Sequence, residues 1–94
     1  MNTLRITDVA KAIAHPARVH ILDMLSQGEL CGCEFAPILG LDASVVSRHL
    51  AQLSRSGLIS SRRDGVRVMW HLSDPAILDV LARLEHLPNP EDAS

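Results

Sequence analysis

Apolar residues recur at helical spacing in several stretches of the chain and predict short helices separated by proline and glycine. The first helix covers about residues 4–13, and Pro16 both ends it and begins a second helix of about residues 16–26. A short third helix lies around residues 35–39. A last helix follows Ser-Asp-Pro and covers about residues 77–87.

The fourth predicted helix has the strongest pattern. Val46, Leu50 and Leu53 stand at positions i, i+4 and i+7, so they form one apolar stripe that faces the core. Asp42 or Ser44 is suited to cap its first turn. The short third helix and this fourth helix together predict a helix-turn-helix.

After the fourth helix the period changes from helical to alternating. Residues 58–63 and 66–72 are rich in β-branched and apolar side chains and flank Asp64-Gly65, a pair typical of a two-residue type I′ hairpin turn. The predicted fold is therefore mainly α with one β-hairpin. It is a winged helix-turn-helix with about five helices and a two-stranded wing.

Length and composition favour one small domain. The chain has 94 residues, of which residues 1–88 form the predicted DNA-binding and dimerisation domain and residues 89–94 a short polar tail that we expect to be mobile. No apolar run approaches the roughly 20 residues of a membrane span, so we expect a cytoplasmic protein. There is no phosphate-cradling glycine loop, paired-carboxylate motif or nucleophile with a spaced base, which argues against an enzyme.

Charge is unevenly distributed. Between residues 43 and 72, five arginines and one aspartate give a net charge of +4, whereas four basic and ten acidic residues elsewhere give −6. A local basic field of this kind suits a DNA phosphate backbone. The candidate DNA-contacting residues, from the fourth helix and the wing, are Ser44, Ser47, Arg48, His49, Arg62, Arg63 and Arg67. Of these, His49 has an alternative place against the hairpin.

Cys31 and Cys33 are the only cysteines and lie just before the helix-turn-helix. In a reducing compartment they are expected to be free thiols, and thiolates are soft ligands that suit thiophilic ions. Residues i and i+2 of a regular helix point to nearly opposite sides. Both sulfurs therefore reach one atom only if the entrance to the third helix is irregular. The positive end of that helix favours thiolate over thiol.

The segments Gly28–Glu34 (GELCGCE), Val46–Leu53 (VSRHLAQL) and Ser56–Ile59 (SGLI) together resemble the ArsR/SmtB family of metal-responsive repressors. The resemblance implies a homodimer that binds an inverted-repeat operator in double-stranded DNA and needs no cofactor to do so. It also implies release when a thiophilic ion binds. Family members with an E-L-C-x-C-[DE] motif respond mostly to arsenite and antimonite, so As(III) or Sb(III) is the implied inducer at Cys31 and Cys33.

One departure from the family pattern concerns the third sulfur ligand. The fuller motif has a cysteine at the position of Ala36, so only two sulfurs are available here. The family's other sensor site, on the last helix, needs an Asp-x-His spacing that is absent from this chain.

Three alternatives stay open from the sequence. The cysteine pair could be a redox sensor in a repressor of the same fold. The cysteines could be small structural residues in a regulator controlled by something else. The domain could also be a protein-interaction module that does not bind DNA.

Overall fold

The computed structural model describes residues 1–92 and contains the five predicted helices. They are α1 (Thr3–Ile13), α2 (Pro16–Leu25), α3 (Phe35–Leu39), α4 (Ala43–Arg55) and α5 (Ala76–Glu85). Their ends follow from local chemistry. The Asn2 side chain accepts a hydrogen bond from the Arg5 amide at the start of α1, and Pro16 occupies the first turn of α2. The last helix ends at Glu85, two residues before the predicted boundary.

The sheet has three antiparallel strands, not the predicted two. They are β1 (Leu30–Cys31), β2 (Ile59–Asp64) and β3 (Arg67–Leu72), in the order β1-β3-β2. Leu30 pairs with Trp70, and Cys31 pairs with Met69. A two-residue strand is too short to show an alternating pattern, so periodicity does not predict β1. Cys31 therefore belongs to the same sheet as the wing.

The hairpin turn differs from the predicted type. Asp64 pairs with Arg67, so Gly65 and Val66 are its two central residues. Gly65 has φ of +63°, and no other residue type has positive φ in the part of the chain that the structure describes. A type I′ turn requires positive φ at both central positions. The type I′ prediction is wrong, and positive φ at the first position alone is the pattern of a type II′ turn.

The core lies between the helix-turn-helix, α2 and the wing. Its most deeply buried side chains are Ile21, Leu22, Phe35, Leu53 and Ile59. Burying a side chain of this size contributes about 1.5–3 kcal/mol, so this small cluster supplies much of the fold's stability. It also connects the element after the cysteines, α3, to α4 and the base of the wing.

A left-handed Gly40 joins the two helices of the helix-turn-helix. Its φ is +66°, and its amide donates to the Ala36 carbonyl to end α3. Asp42 then takes the extended conformation of an N-cap, and Ser44 is the second residue of α4. The alternative that Ser44 itself is the cap is therefore wrong.

Beyond α5 the chain turns once more, with the Asp92 amide donating to the Asn89 carbonyl over 2.9 Å. The predicted tail extends to residues 93 and 94, which lie outside the described residues. Within residues 1–92, no helix combines the length and apolar character that crossing a membrane demands.

Candidate DNA-reading face and cysteine pair

The outer face of α4 has the composition expected of a reading helix. Ser44, Ser47 and Arg48 are exposed, whereas the predicted stripe of Val46, Leu50 and Leu53 is buried. Hydroxyl and guanidinium groups at the start of a recognition helix suit phosphate oxygens and base edges. The geometry therefore leaves these three side chains available to DNA, and their contact with DNA stays a prediction.

His49 does not belong to this face. Its side chain is only 7 % exposed, and its ring lies 4.4 Å from the ring of His15. Arg18 Nε donates a hydrogen bond to His49 Nδ1 over 3.1 Å. The expectation that His49 is exposed is wrong because it stands at i+3 from Val46, on the buried side of α4.

Burial also fixes the protonation of His49. Loss of solvent lowers its pKa below the usual value, and electrostatic interaction with His15, Arg18 and Arg48 acts in the same direction. An accepting Nδ1 carries no proton, so the ring is neutral and holds Arg18 against α4. His49 therefore packs on the side of α4 opposite the candidate DNA-reading face.

The three wing arginines differ in their freedom. Arg63 and Arg67 are exposed near the tip of the hairpin. Arg62 is instead engaged by Glu29, with Nε–Oε2 and Nη2–Oε1 distances of 2.8 and 2.6 Å. Arg62, one of the three candidate DNA-contacting arginines of the wing, is therefore exposed but paired with a carboxylate. A long-range pairing across 33 residues gives no signal in a local sequence pattern.

The two cysteines are free thiols in close contact. Cys31 ends β1 and is buried, whereas Cys33 is exposed in a short 3₁₀ helix, Gly32–Glu34. The Cys33 thiol donates a hydrogen bond to Cys31 Sγ over 2.9 Å. This separation exceeds the roughly 2.04 Å of a disulfide. The change from strand to 3₁₀ helix supplies the irregularity that places both sulfurs on one side.

Hydrogen bonding makes the two sulfurs unequal. The bond donated by Cys33 lowers the pKa of Cys31, and the positive charge of Arg67 acts in the same direction. The same bond, together with partial desolvation of the thiol, raises the pKa of Cys33. Glu34 accepts from the Cys31 amide over 2.6 Å and so fixes the backbone of the pair. Cys31 is therefore the first of the two to become a thiolate.

Sheet register places Cys31 in the same sheet as the wing hairpin. Cys31 pairs with Met69, which in turn pairs with Arg62, so the three form one row across β1, β3 and β2. Directly paired residues project from the same face of a sheet. Glu29, two residues before Cys31, lies on that face and reaches Arg62.

Glu29 and His71 are functional candidates that the sequence reasoning missed. The Arg62 guanidinium holds the pKa of Glu29 below its usual value. His71 Nδ1 lies 3.7 Å from Glu29 Oε2, and this buried nitrogen has no hydrogen-bond partner. The position of Glu29 just before the cysteines was the only available signal.

The cysteine pair offers a metal two sulfur ligands. Residues 1–92 contain no group of three or more His, Cys, Asp or Glu side chains placed to hold one ion. Asp74, just before the last helix, is occupied by accepting a hydrogen bond from the Ala76 amide over 2.9 Å.

The helices, the turn between α3 and α4 and the three-stranded sheet together define a winged helix-turn-helix protein. The model of bacterial regulatory proteins of the arsR family matches residues 15–61. The chain is 40 % identical over 82 residues to the HTH-type transcriptional regulator YgaV of Escherichia coli, covering 85 % of this chain and 82 % of that protein. It is 32 % identical to the arsenical resistance operon repressor of Staphylococcus aureus, covering 84 % and 75 %. The chain belongs to the ArsR family of bacterial regulatory proteins.

Solved structures agree with this assignment. Reduced HlyU from Vibrio cholerae superposes with a TM-score of 0.78 at 35 % identity, covering 92 % of this chain and 94 % of that one. The homodimeric winged helix-turn-helix DNA-binding domain Mb0332 of Mycobacterium bovis gives a TM-score of 0.75 at 32 % identity, covering 89 % and 82 %. The protein is thus a DNA-binding transcriptional regulator and not an enzyme.

Proposed function

We propose that the protein is a homodimeric repressor that binds an inverted-repeat operator and releases it when As(III) or Sb(III) binds Cys31 and Cys33. The observation that carries the proposal is the 2.9 Å contact between the two free sulfurs, one buried and one exposed. Because the two sulfurs are already in contact, both can reach one atom. The arsenical resistance repressor among the relatives supports the choice of ligand.

The donor set favours a trivalent metalloid over zinc. Thiolates are soft ligands, and a structural zinc site requires four protein ligands in a tetrahedron. Only two sulfurs are present, and Ala36 occupies the position of the third cysteine in the fuller family motif. We infer a two-sulfur site whose remaining ligand comes from outside the chain.

Two routes connect the cysteines to the DNA-binding surfaces. Cys33 precedes α3, whose Phe35 packs in the core with Leu53 of α4. Cys31 pairs with Met69 of the wing. Bridging the two sulfurs with one atom changes their separation from the present 2.9 Å and so changes the backbone between β1 and α3. That change disfavours the arrangement of α4 and wing that fits the operator.

Dimerisation gives the operator its symmetry. Large apolar side chains are exposed on α1 and α5, and these include Leu4, Ile6, Val80 and Leu84. Exposed apolar area of this kind marks a subunit interface in a small domain. Two recognition helices held about one helical turn of DNA apart read inverted half-sites. Binding both halves multiplies affinity through effective concentration.

The test is titration of an operator complex with arsenite, followed by fluorescence anisotropy of labelled DNA from the protein's own promoter. For the unmodified protein we expect operator affinity to fall by about 5 to 150-fold, the range of a coupling of about 1–3 kcal/mol. The Cys31→Ser, Cys33→Ser double variant should bind the operator equally well and not respond. Normal release by this variant would disprove the proposal.

A second candidate function is thiol redox sensing, favoured by the same short sulfur–sulfur contact. Two thiols lose two electrons and two protons to a peroxide, which is reduced to water, and a disulfide forms. The HlyU relative has been solved in a reduced form. Release by peroxide, reversal by dithiothreitol and no response to arsenite would select this function over metalloid sensing.

A further inference from the structure

A polar pocket of about 230 Å³ lies between α1, α2 and the C-terminal end of α4. None of its lining residues belongs to the wing strands or to the segment that carries the cysteines. Its charged and amide-bearing lining residues are Arg5, Asp8, Lys11, Arg18, Gln52 and Arg55. Four cations and one carboxylate thus surround a space larger than one phosphate group.

This concentration of positive charge contrasts with the rest of the protein. Outside residues 43–72 the chain has four basic and ten acidic residues, and three of those four basic residues line this pocket. None of the four lining cations forms an ion pair within residues 1–92; the arginine that does is Arg62. Four positive charges around a single carboxylate repel one another, so their convergence calls for a further anionic partner.

The lining cations keep hydrogen-bond donors available. Arg18 uses Nε on His49 and one terminal nitrogen on the Ala12 carbonyl, at 3.1 and 3.4 Å. Arg5 donates to the Ser56 carbonyl. An arginine has five N–H groups, so these bonds orient each guanidinium and leave donors over. The side chains of Lys11 and Arg55 make no hydrogen bond within residues 1–92.

The pocket also continues the DNA-reading face. Arg48, Gln52 and Arg55 stand at i, i+4 and i+7 on α4, so the last two extend the exposed stripe that begins at Arg48. In homeodomains the C-terminal end of the recognition helix contacts the DNA backbone. Attraction of Arg55 to the negative end of α4 explains that residue alone. It does not explain why Arg5 and Lys11 of α1 and Arg18 of α2 line the same pocket.

We propose that this pocket binds a phosphate group, supplied either by the operator backbone beyond the recognition helix or by free inorganic phosphate. Arginine and lysine are the side chains that bind phosphate oxygens, with arginine contributing paired hydrogen bonds. The backbone form rests on the operator binding contained in the proposed function. It does not depend on the cysteine pair.

The experiment compares single variants of reduced, arsenite-free protein that each lose one positive charge. Lys11→Gln and Arg55→Gln alter the pocket, and Arg83→Gln on α5 is the matched control. Operator affinity is measured across a salt series, and inorganic phosphate is titrated at constant ionic strength by calorimetry without DNA. Melting temperatures establish that each variant folds. Two pocket variants are made so that one can still be tested if the other does not fold.

A backbone phosphate predicts that each pocket variant lowers the magnitude of the log–log salt slope by about 0.9, while the control leaves it unchanged. A free phosphate predicts saturable binding that Lys11→Gln abolishes, with no change in slope. Pocket variants that match Arg83→Gln in slope, with no saturable phosphate binding, would overturn the proposal. Each pocket variant should retain the arsenite response, which separates this inference from the cysteine mechanism.

Discussion

Arg62 of the wing and Glu29 before the cysteines form a two-point ion pair across the three-stranded sheet. The pair lies on the same sheet face as Cys31. One of the arginines that the sequence assigns to DNA is therefore held by the segment that carries the sulfur atoms.

The ion pair predicts that Glu29→Gln increases DNA affinity by freeing Arg62 for a phosphate. We expect the magnitude of the log–log salt slope to rise by up to about 0.9, for random as well as operator DNA. Loss of a carboxylate alone also favours DNA. The same substitution is therefore made in an Arg62→Gln background, where the increase should largely disappear. An equal gain in both backgrounds would contradict this role for Glu29.

The cysteine contact predicts that Cys31 loses its acidity when its donor is removed. In the unmodified protein the bond from Cys33 lowers the pKa of Cys31, so thiolate forms below the ordinary range. In Cys33→Ala the pKa of Cys31 should be higher, measured by ultraviolet absorbance of the thiolate during a pH titration. Alkylation of Cys31 near neutral pH should slow accordingly. Equal titration midpoints would show that the contact does not control acidity.

The buried His49 predicts acid destabilisation. Its folded pKa is lowered from about 6.5, so the unfolded chain takes up the proton first as pH falls. Stability is complete above the unfolded pKa and declines below it, by at most about 1.4 kcal/mol per pH unit for one proton. The unfolding free energy from urea titrations should fall between about pH 7.5 and 5.5 more steeply in the unmodified protein than in His49→Gln.

The pH range in which stability falls distinguishes His49 from Glu29. The pKa of Glu29 is lowered from 4.5, so its contribution is lost only at more acid pH. His86→Gln, at an exposed histidine, controls for histidine content. Parallel curves for the unmodified protein and His49→Gln would refute the assignment.

The apolar surface of α5 predicts that one charge introduced there dissociates the dimer. Leu84 is 47 % exposed, and Leu84→Glu should place a charge in the subunit interface and shift sedimentation toward the monomer. Operator affinity should fall with it because one half-site is then bound at a time. Ile38→Glu on α3, at a residue 57 % exposed, is the matched control and should remain dimeric. A monomeric control or a dimeric Leu84→Glu would place the interface elsewhere.

Periodicity was sufficient to predict the helices because each has a local signal. Pro16 marks the start of α2, Gly40 closes α3, and the spacing of Val46, Leu50 and Leu53 identifies the buried side of α4. The same spacing, applied strictly, also places His49 on that side. For His49, position along the helix predicts burial better than the polar character of its side chain.

Long-range features had no local signal. β1 has two residues and exists only through its pairing with β3, while the partners Glu29 and Arg62 are 33 positions apart. The contact between the sulfurs depends on the change from strand to 3₁₀ helix at Gly32. Such relationships arise from the tertiary fold, which a pattern along the chain does not encode by itself.

Gly32 between the cysteines lies against the indole of Trp70, and a Cβ built there would meet Trp70 Nε1 at 3.3 Å. Trp70 is the only tryptophan in the chain. Its intrinsic fluorescence therefore originates beside the sulfur pair, and a change in the backbone at that point alters the surroundings of the fluorophore. Under the proposed function, binding of an ion at the cysteine pair can therefore be followed by this fluorescence, without a dye or DNA.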